Sequence, residues 1–272
     1  MNGWTTEEVK ESPEILEMLA DLLFQLADDD FVLGYRDQEW LGLAPHIEED
    51  VAFGSIAQEQ IGHATFYYHL LESLGVGRAD DLASLRPGEQ RRNAVLLEQP
   101  NGENGDFLNQ PHFDWAWTIV RHYLYDVWDI ARLNLLKESR FVPLAEAAEK
   151  ILGEKRYHRA HQELWIRTMA KHDTLSRQKL QKALGEAFGW VGDLVSFGRF
   201  QGRLEEHGVI TSVEPAVRRY WVEVQDFLRS EGLIVPEVSS VMNGRLGEHT
   251  DALGEALARL SEVYRLDPSA SW

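Results

Sequence analysis

Four long stretches of apolar residues at helical spacing, joined short, long, short, constrain this chain more than any other feature. Ser12-Pro13-Glu14 is a helix start, with Ser at the N-cap and Pro in the first turn. Over residues 14–41, apolar side chains fall at Ile15, Leu16, Leu19, Leu22, Leu23, Leu26, Phe31 and Leu33, the spacing of one helix face. Gly42 and Pro45 punctuate that run, and a second helix fits residues 46–74, closed by Gly75 and Gly77. A third helix fits 113–139 and a fourth 143–172, with only Arg140, Phe141 and Val142 between them. Between the two pairs lies an irregular stretch over 76–111, with a short helical piece at 78–85. It holds Arg86-Pro87-Gly88, Glu98-Gln99-Pro100-Asn101-Gly102 and Asn104-Gly105, all turn chemistry. Further helices are expected at 175–187, 192–206, 214–230 and 245–264. Two antiparallel hairpins with one long crossover is the order of a ferritin-like four-helix bundle. The expectation is therefore all-α, one domain over 1–272, with a core bundle at 12–172 and a helical extension at 173–272.

Composition narrows the function classes. With 44% apolar residues, 9 Trp, 11 Phe and 8 Tyr, the chain can bury a large core, which excludes disorder. Forty-five acids against 27 bases leave a net charge of −18. Nucleic acid and anionic membrane surfaces would repel such a chain, whereas a basic protein partner would not. The absence of cysteine removes a disulfide frame, a thiolate nucleophile, an iron–sulfur cluster and a cysteine zinc site. The N-terminus is polar and acidic, and no apolar run approaches the ~20 residues of a membrane span. A cytoplasmic protein is expected. There is no Gly-rich phosphate loop, nucleophile elbow or dinucleotide fingerprint.

The middle of the bundle is where chemistry is expected. Ferritin-like carboxylate proteins place one acid on each of helices one and three, and a Glu-x-x-His pair on each of helices two and four. Here Asp30, His63, Asp126, Asp129 and His158 stand near those levels. With the first turn centred near residue 43, Asp30 and His63 should differ in height by about 10 Å, at 1.5 Å per residue, with Gln60 closer. With the second turn near 141, Lys155 and His158 stand level with Asp126 and Asp129. The residue three before His63 is Gln60, and the residue three before His158 is Lys155. A neutral amide and a cation thus replace the two carboxylates. A protonated ammonium cannot ligate a metal and repels a dication. It can neutralise Asp30, Asp126 or Asp129 instead, so an internal ion pair replaces the metal. Glu59 and Glu154, four residues before the histidines, leave open a shifted ligand frame. Hydrogen-bonded core polar groups at His63 and His158 are the alternative, with His161 on a flanking face.

Weaker features complete the reading. Asp28, Asp29 and Asp30 form an acid triplet in mid-helix, where Asp is a poor helix former. At most two should face inward, leaving Asp28 or Asp29 solvated. Trp115, Trp117, Tyr123, Tyr125 and Trp128 crowd the third helix, as core residues or in part as a subunit interface. Arg91-Arg92 and Lys155-Arg156 are short basic pairs, ordinary on surfaces but able to meet an anionic cofactor.

Several segments carry a family resemblance. These are Gly-Tyr-Arg-Asp-Gln-Glu-Trp at 34–40, Ala-Pro-His-Ile-Glu-Glu-Asp at 44–50 and Leu-Leu-Glu-Gln-Pro-Asn-Gly at 96–102. Tyr-Leu-Tyr-Asp-Val-Trp at 123–128, Glu-Lys-Arg-Tyr-His at 154–158, Gly-Glu-His-Thr at 247–250 and a terminal Trp272 follow in order. Together they resemble the C-subunit family of the bacterial phenylacetyl-CoA epoxidase, a phenylacetyl-CoA oxygenase of phenylacetate catabolism. The first dozen residues and 103–112 look like additions to it. The resemblance implies a ferritin-like fold and a homologous A subunit that holds a di-iron centre. The C subunit is the non-catalytic relative that pairs with it, among further subunits that include a reductase. It implies no cofactor and no catalytic residue here; a homodimer when the partner is absent is compatible with this, because the same face can pair with itself. Gln60 and Lys155 agree with that, whereas His63 keeps a potential ligand. A ferritin-like oxygenase or oxidase with its own di-metal site, and a metal-storage bundle, are the competing expectations.

Overall fold

The computed structural model describes residues 3–102, 112–240 and 242–270. The Asn104-Gly105 turn, nearly all of the 103–112 addition and Trp272 lie outside the described residues. Within them the chain is helical, with one isolated backbone bridge, Trp4 to Phe141, and no named strand. The helices are α1 (Thr6–Lys10), α2 (Pro13–Gln38), α3 (Ile47–Ser73), α4 (Ala79–Ser84), α5 (Val95–Glu98) and α6 (Trp115–Leu136). Then come α7 (Val142–His172), α8 (Thr174–Phe188), α9 (Gln201–Glu206), α10 (Val213–Ser230), α11 (Asp251–Leu260) and α12 (Glu262–Leu266). This is the expected class: all-α, with two long hairpins and a crossover between them, the element order of a ferritin-like chain.

The chain divides into two compact units. One comprises Thr5–Pro100, Ser196–Phe200 and Met242–Trp272 and is built on the α2–α3 hairpin. The other comprises Met1–Trp4, Asn101–Val195 and Gln201–Val241 and is built on the α6–α7 hairpin.

In the first unit, α2 begins where the sequence places it. Pro13 occupies the first turn, although the Ser12 side chain makes no capping bond. Before it stands α1, a helix absent from the expectation. Thr5 and Glu8 close a reciprocal capping box, with Thr5 N to Glu8 Oε2 at 2.8 Å, the Thr-x-x-Glu signature of a helix start. The helix α2 is covered by α1, α3, α5 and α11. It buries Met18, Leu19, Leu22, Leu23 and Leu26, and Val32 joins Leu253 and Leu257 of α11 in one apolar cluster.

In the second unit, Asp114 caps α6 by accepting from Ala116 N at 2.9 Å. The aromatic side chains of α6 are core, except Trp115, which is half-buried. Tyr123, Tyr125 and Trp128 are fully buried. Tyr123 packs on Phe227 of α10 with ring centroids 4.9 Å apart, and Trp128 meets Tyr220 edge-on at 5.9 Å. Rings of this size bury about 150–250 Å² each, which is why α10 adheres to α6. Trp115 stacks edge-on against Trp165 of α7.

Two of the expected C-terminal helices are broken. The continuous helix over 192–206 is replaced by a short 3₁₀ turn at Val191–Asp193, another at Gly198–Phe200, and α9. Gly198 stands at φ +66° with Gln25 Nε2 only 3.0 Å from where a Cβ would sit, a conformation L side chains rarely adopt. The helix expected over 245–264 starts at Asp251 and is interrupted before α12. Gly247, at φ +87°, turns the chain beneath the Glu89 carbonyl, where a Cβ would collide. In both cases the helical periodicity is real, but a left-handed glycine breaks it.

Candidate functional site

Each unit carries a buried polar centre on its long hairpin. In the second unit, Lys155 of α7 is fully buried. Its Nζ lies 3.2 Å from Asp129 Oδ2 and 4.0 Å from Asp126 Oδ1, both on α6. It also sits 4.5 Å from the centre of the Tyr125 ring, a cation–π geometry. Arg132 grips the other Asp129 oxygen, donating from Nε at 3.0 Å and Nη2 at 2.7 Å. The same Nη2 donates to the Tyr125 hydroxyl at 3.1 Å. Burial alone would raise the Asp129 pKa, but Lys155 and Arg132 outweigh it and hold this carboxyl below its usual range. His158, one turn on, is also fully buried, while His161 is half-buried.

In the first unit, His63 Nδ1 stands 3.7 Å from Asp30 Oδ2, and Gln60 is fully buried on the same helix. The expected 10 Å offset between Asp30 and His63 is wrong. Gln60 Cβ lies 3.1 Å from a Cβ built on Gly34, so the hairpin register is centred near residue 47. The join after α2 therefore belongs to the α2 side. With that register, Asp30 and His63 stand 17 residues before and 16 after the centre, at one level.

The acid triplet is the larger surprise. The solvated position expected for Asp28 or Asp29 does not exist, because Asp28, Asp29 and Asp30 are all buried. Consecutive helical residues point about 100° apart, so burying three in a row needs cover on nearly every side. Asp28 accepts from Arg86, from Arg91 Nη1 at 3.1 Å, from Tyr68 Oη at 2.6 Å and from Arg92 N at 2.9 Å. Its burial would raise the pKa, yet Arg86 and Arg91 push it below the usual carboxylate range. Asp29 binds both Arg245 Nη1 at 2.7 Å and Nη2 at 2.9 Å, and accepts from Ala94 N at 2.9 Å. Arg91 is thus fully buried on a carboxylate, not one of a surface pair or an anion ligand.

A further centre, which the sequence alone does not disclose, locks the crossover to the C-terminal segment. Glu98 is fully buried. It accepts from Asn93 Nδ2 at 2.9 Å, from Thr250 N at 2.6 Å and from Thr250 Oγ1 at 2.9 Å. His249 Nδ1 lies 2.7 Å from the same carboxylate, and Arg36 donates to the Glu98 carbonyl at 2.7 Å. In the second unit, Asn101 Oδ1 accepts from Thr118 Oγ1 at 3.1 Å and from Arg121 Nη2 at 2.6 Å. The signal is present, since segments 34–40, 96–102 and 247–250 all stand out in the sequence. Nothing in it marks them as parts of one contact.

Among the described residues, no group of three or more His, Asp or Glu side chains is placed to hold a metal ion. In the second unit the reason is chemical. Asp126 and Asp129 face an ammonium, which has no lone pair to offer while protonated. In the first unit the Glu-x-x-His position is an amide, Gln60. The residues of neither unit fit a di-metal centre.

The model of a family described as "Phenylacetic acid catabolic protein" matches residues 4–272. The chain belongs to this family. It is 31% identical over 261 residues to the C subunit of the 1,2-phenylacetyl-CoA epoxidase of Escherichia coli K12, covering 94% of this chain and 100% of that one. It is also 24% identical over 174 residues to the A subunit of the same enzyme, covering 64% of this chain and 52% of that one. No helix among the described residues is long and apolar enough to cross a membrane.

Proposed function

We propose that this chain is a non-catalytic structural subunit of a phenylacetyl-CoA ring epoxidase. In this reading it pairs with a homologous subunit that carries the di-iron centre and serves aerobic phenylacetate catabolism. The observation that carries the reading is Lys155. A buried ammonium 3.2 Å from Asp129 stands where a metal-binding bundle needs a carboxylate, and it neutralises the acids that would otherwise draw in a dication. Full-length similarity to the C subunit supports the assignment to the complex. No cofactor is assigned to this chain, and oxygen chemistry belongs to the partner.

The decisive experiment combines metal content with activity. Protein grown with iron and purified alone should hold no stoichiometric iron or manganese. It should not oxidise phenylacetyl-CoA when given a reductant and oxygen. Two metals per chain, or turnover by the single subunit, would sink the reading. Co-expressed with the di-iron subunit, the chain should elute with it in size-exclusion chromatography at micromolar concentration and modest salt.

A further inference from the structure

The longest stretch of this chain without Lys or Arg contains a whole long helix. From Asp37 to Gly77 there is no Lys and no Arg, while Asp37, Glu39, Glu48, Glu49, Asp50, Glu59 and Glu72 are acidic. The helix α3 lies wholly within it. An acidic first turn suits the helix dipole, but the dipole gives no reason to exclude bases from the turns that follow. The solvent face of α3 carries apolar side chains near both ends and uncharged ones between them. Ile47 is 72% exposed and Val51 66%, and Leu41 and Phe66 are also exposed. Ser55, Gln58, Gly62 and Thr65 continue the face, all exposed. A Cβ at Gly62 would meet nothing within 4 Å, and Leu41 lies against Gly54.

Exposed apolar side chains in line along a helix mark an interaction surface when they are contiguous. From Ile47 to His69 the face is about 33 Å long at 1.5 Å per residue, long enough for a large part of a subunit interface. Its charge decides the occupant. A second copy would set acid against acid, with no cation on either helix to relieve the repulsion. The exposed apolar side chains of α7, by contrast, have charges of both signs beside them. Arg159 pairs with Glu163 at 2.8 Å and Glu223 at 2.6 Å, and Lys171 with Glu231 at 2.9 Å.

We propose that the exposed face of α3 docks a protein surface that is apolar at its centre and basic at its rim. This rests on the reading above, in which the occupant is the di-iron subunit, and it names the face that meets it. Complementary charge would speed encounter and fix orientation, while Ile47, Val51 and Phe66 supply apolar contact on a face otherwise lined by uncharged side chains.

The test uses the full chain, tagged and co-expressed with the di-iron subunit of the same complex. Val51→Lys and Gly62→Arg each put a cation on the face at an open position, and Leu175→Lys on α8, also exposed, is the control. The two face variants should weaken complex formation at least tenfold, with Leu175→Lys unchanged and all three chains melting as the parent does. Affinity of the parent complex should fall as salt rises. Face variants that bind like the parent would overturn the proposal while leaving the subunit reading intact. A parent chain that does not bind the di-iron subunit would overturn both. A salt-insensitive complex, or a homodimer of the isolated chain that Gly62→Arg dissolves, would overturn the basic occupant.

Discussion

Lys155 shows how one residue changes the meaning of a whole site. Removing it would leave Asp126 and Asp129 buried together without the ammonium beside them. Lys155→Ala should therefore destabilise the chain by roughly 3–5 kcal/mol, the usual cost of breaking a buried ion pair. Urea unfolding is the measurement, and a loss under about 1 kcal/mol, the range of exposed pairs, would contradict the buried pair. The acids also set a pH window. The pKa values of Asp28 and Asp129 are both lowered in the folded chain, against burial, by their cationic neighbours. A depressed carboxylate contributes its stability above the unfolded pKa of about 3.9 and loses it as pH falls through the lower folded value. Stability from these two groups should hold down to about pH 4 and decline below it. Arg86→Gln should shrink the Asp28 contribution, so the less stable chain reaches its acid-unfolding midpoint at higher pH, readable by circular dichroism.

At the scale of elements, short polar segments clasp the long helices. The crossover is not a loose connection, because Glu98 ties it to Thr250 and His249, and Arg36 reaches from α2 to the Glu98 carbonyl. Glu98→Ala would strand several buried donors at once and should cost roughly 3–5 kcal/mol. Hydrogen exchange should speed up most at 244–250, ahead of α2 and α3. Uniform acceleration across the first unit would mean that the segment has no independent opening. Gly198→Ala should cost about 1–2 kcal/mol, since a Cβ disfavours the left-handed conformation, and a shift in melting temperature would record it.

For the molecule as a whole, the charge of −18 is unfavourable for the isolated chain. Self-repulsion among exposed acids is screened by salt, whereas the buried pairs are screened far less. The melting temperature of the isolated chain should rise between about 20 and 200 mM salt, across which the Debye length shortens from roughly 20 to 7 Å. A fall would mean that exposed attractive pairs dominate. The same charge that costs the isolated chain stability favours a basic partner, so salt should strengthen the chain alone and weaken its complex.

The sequence by itself determined the helical class, the two hairpins and the long crossover, because apolar period and turn residues are local signals. It also determined that Lys155 shares a level with Asp126 and Asp129, since the short join around 140–142 leaves the hairpin register little freedom. The longer join between α2 and α3 has that freedom, and there the register is decided by Gly34 meeting Gln60. Tertiary structure alone decided the fate of the acid triplet. Nothing local to α2 says that residues some 60 and 216 positions away will bring Arg91 and Arg245 to Asp28 and Asp29. Local sequence sets the direction a side chain takes from its helix. What stands in that direction depends on which distant segment the fold lays there, and for a buried charge that neighbour is the whole of its energetics.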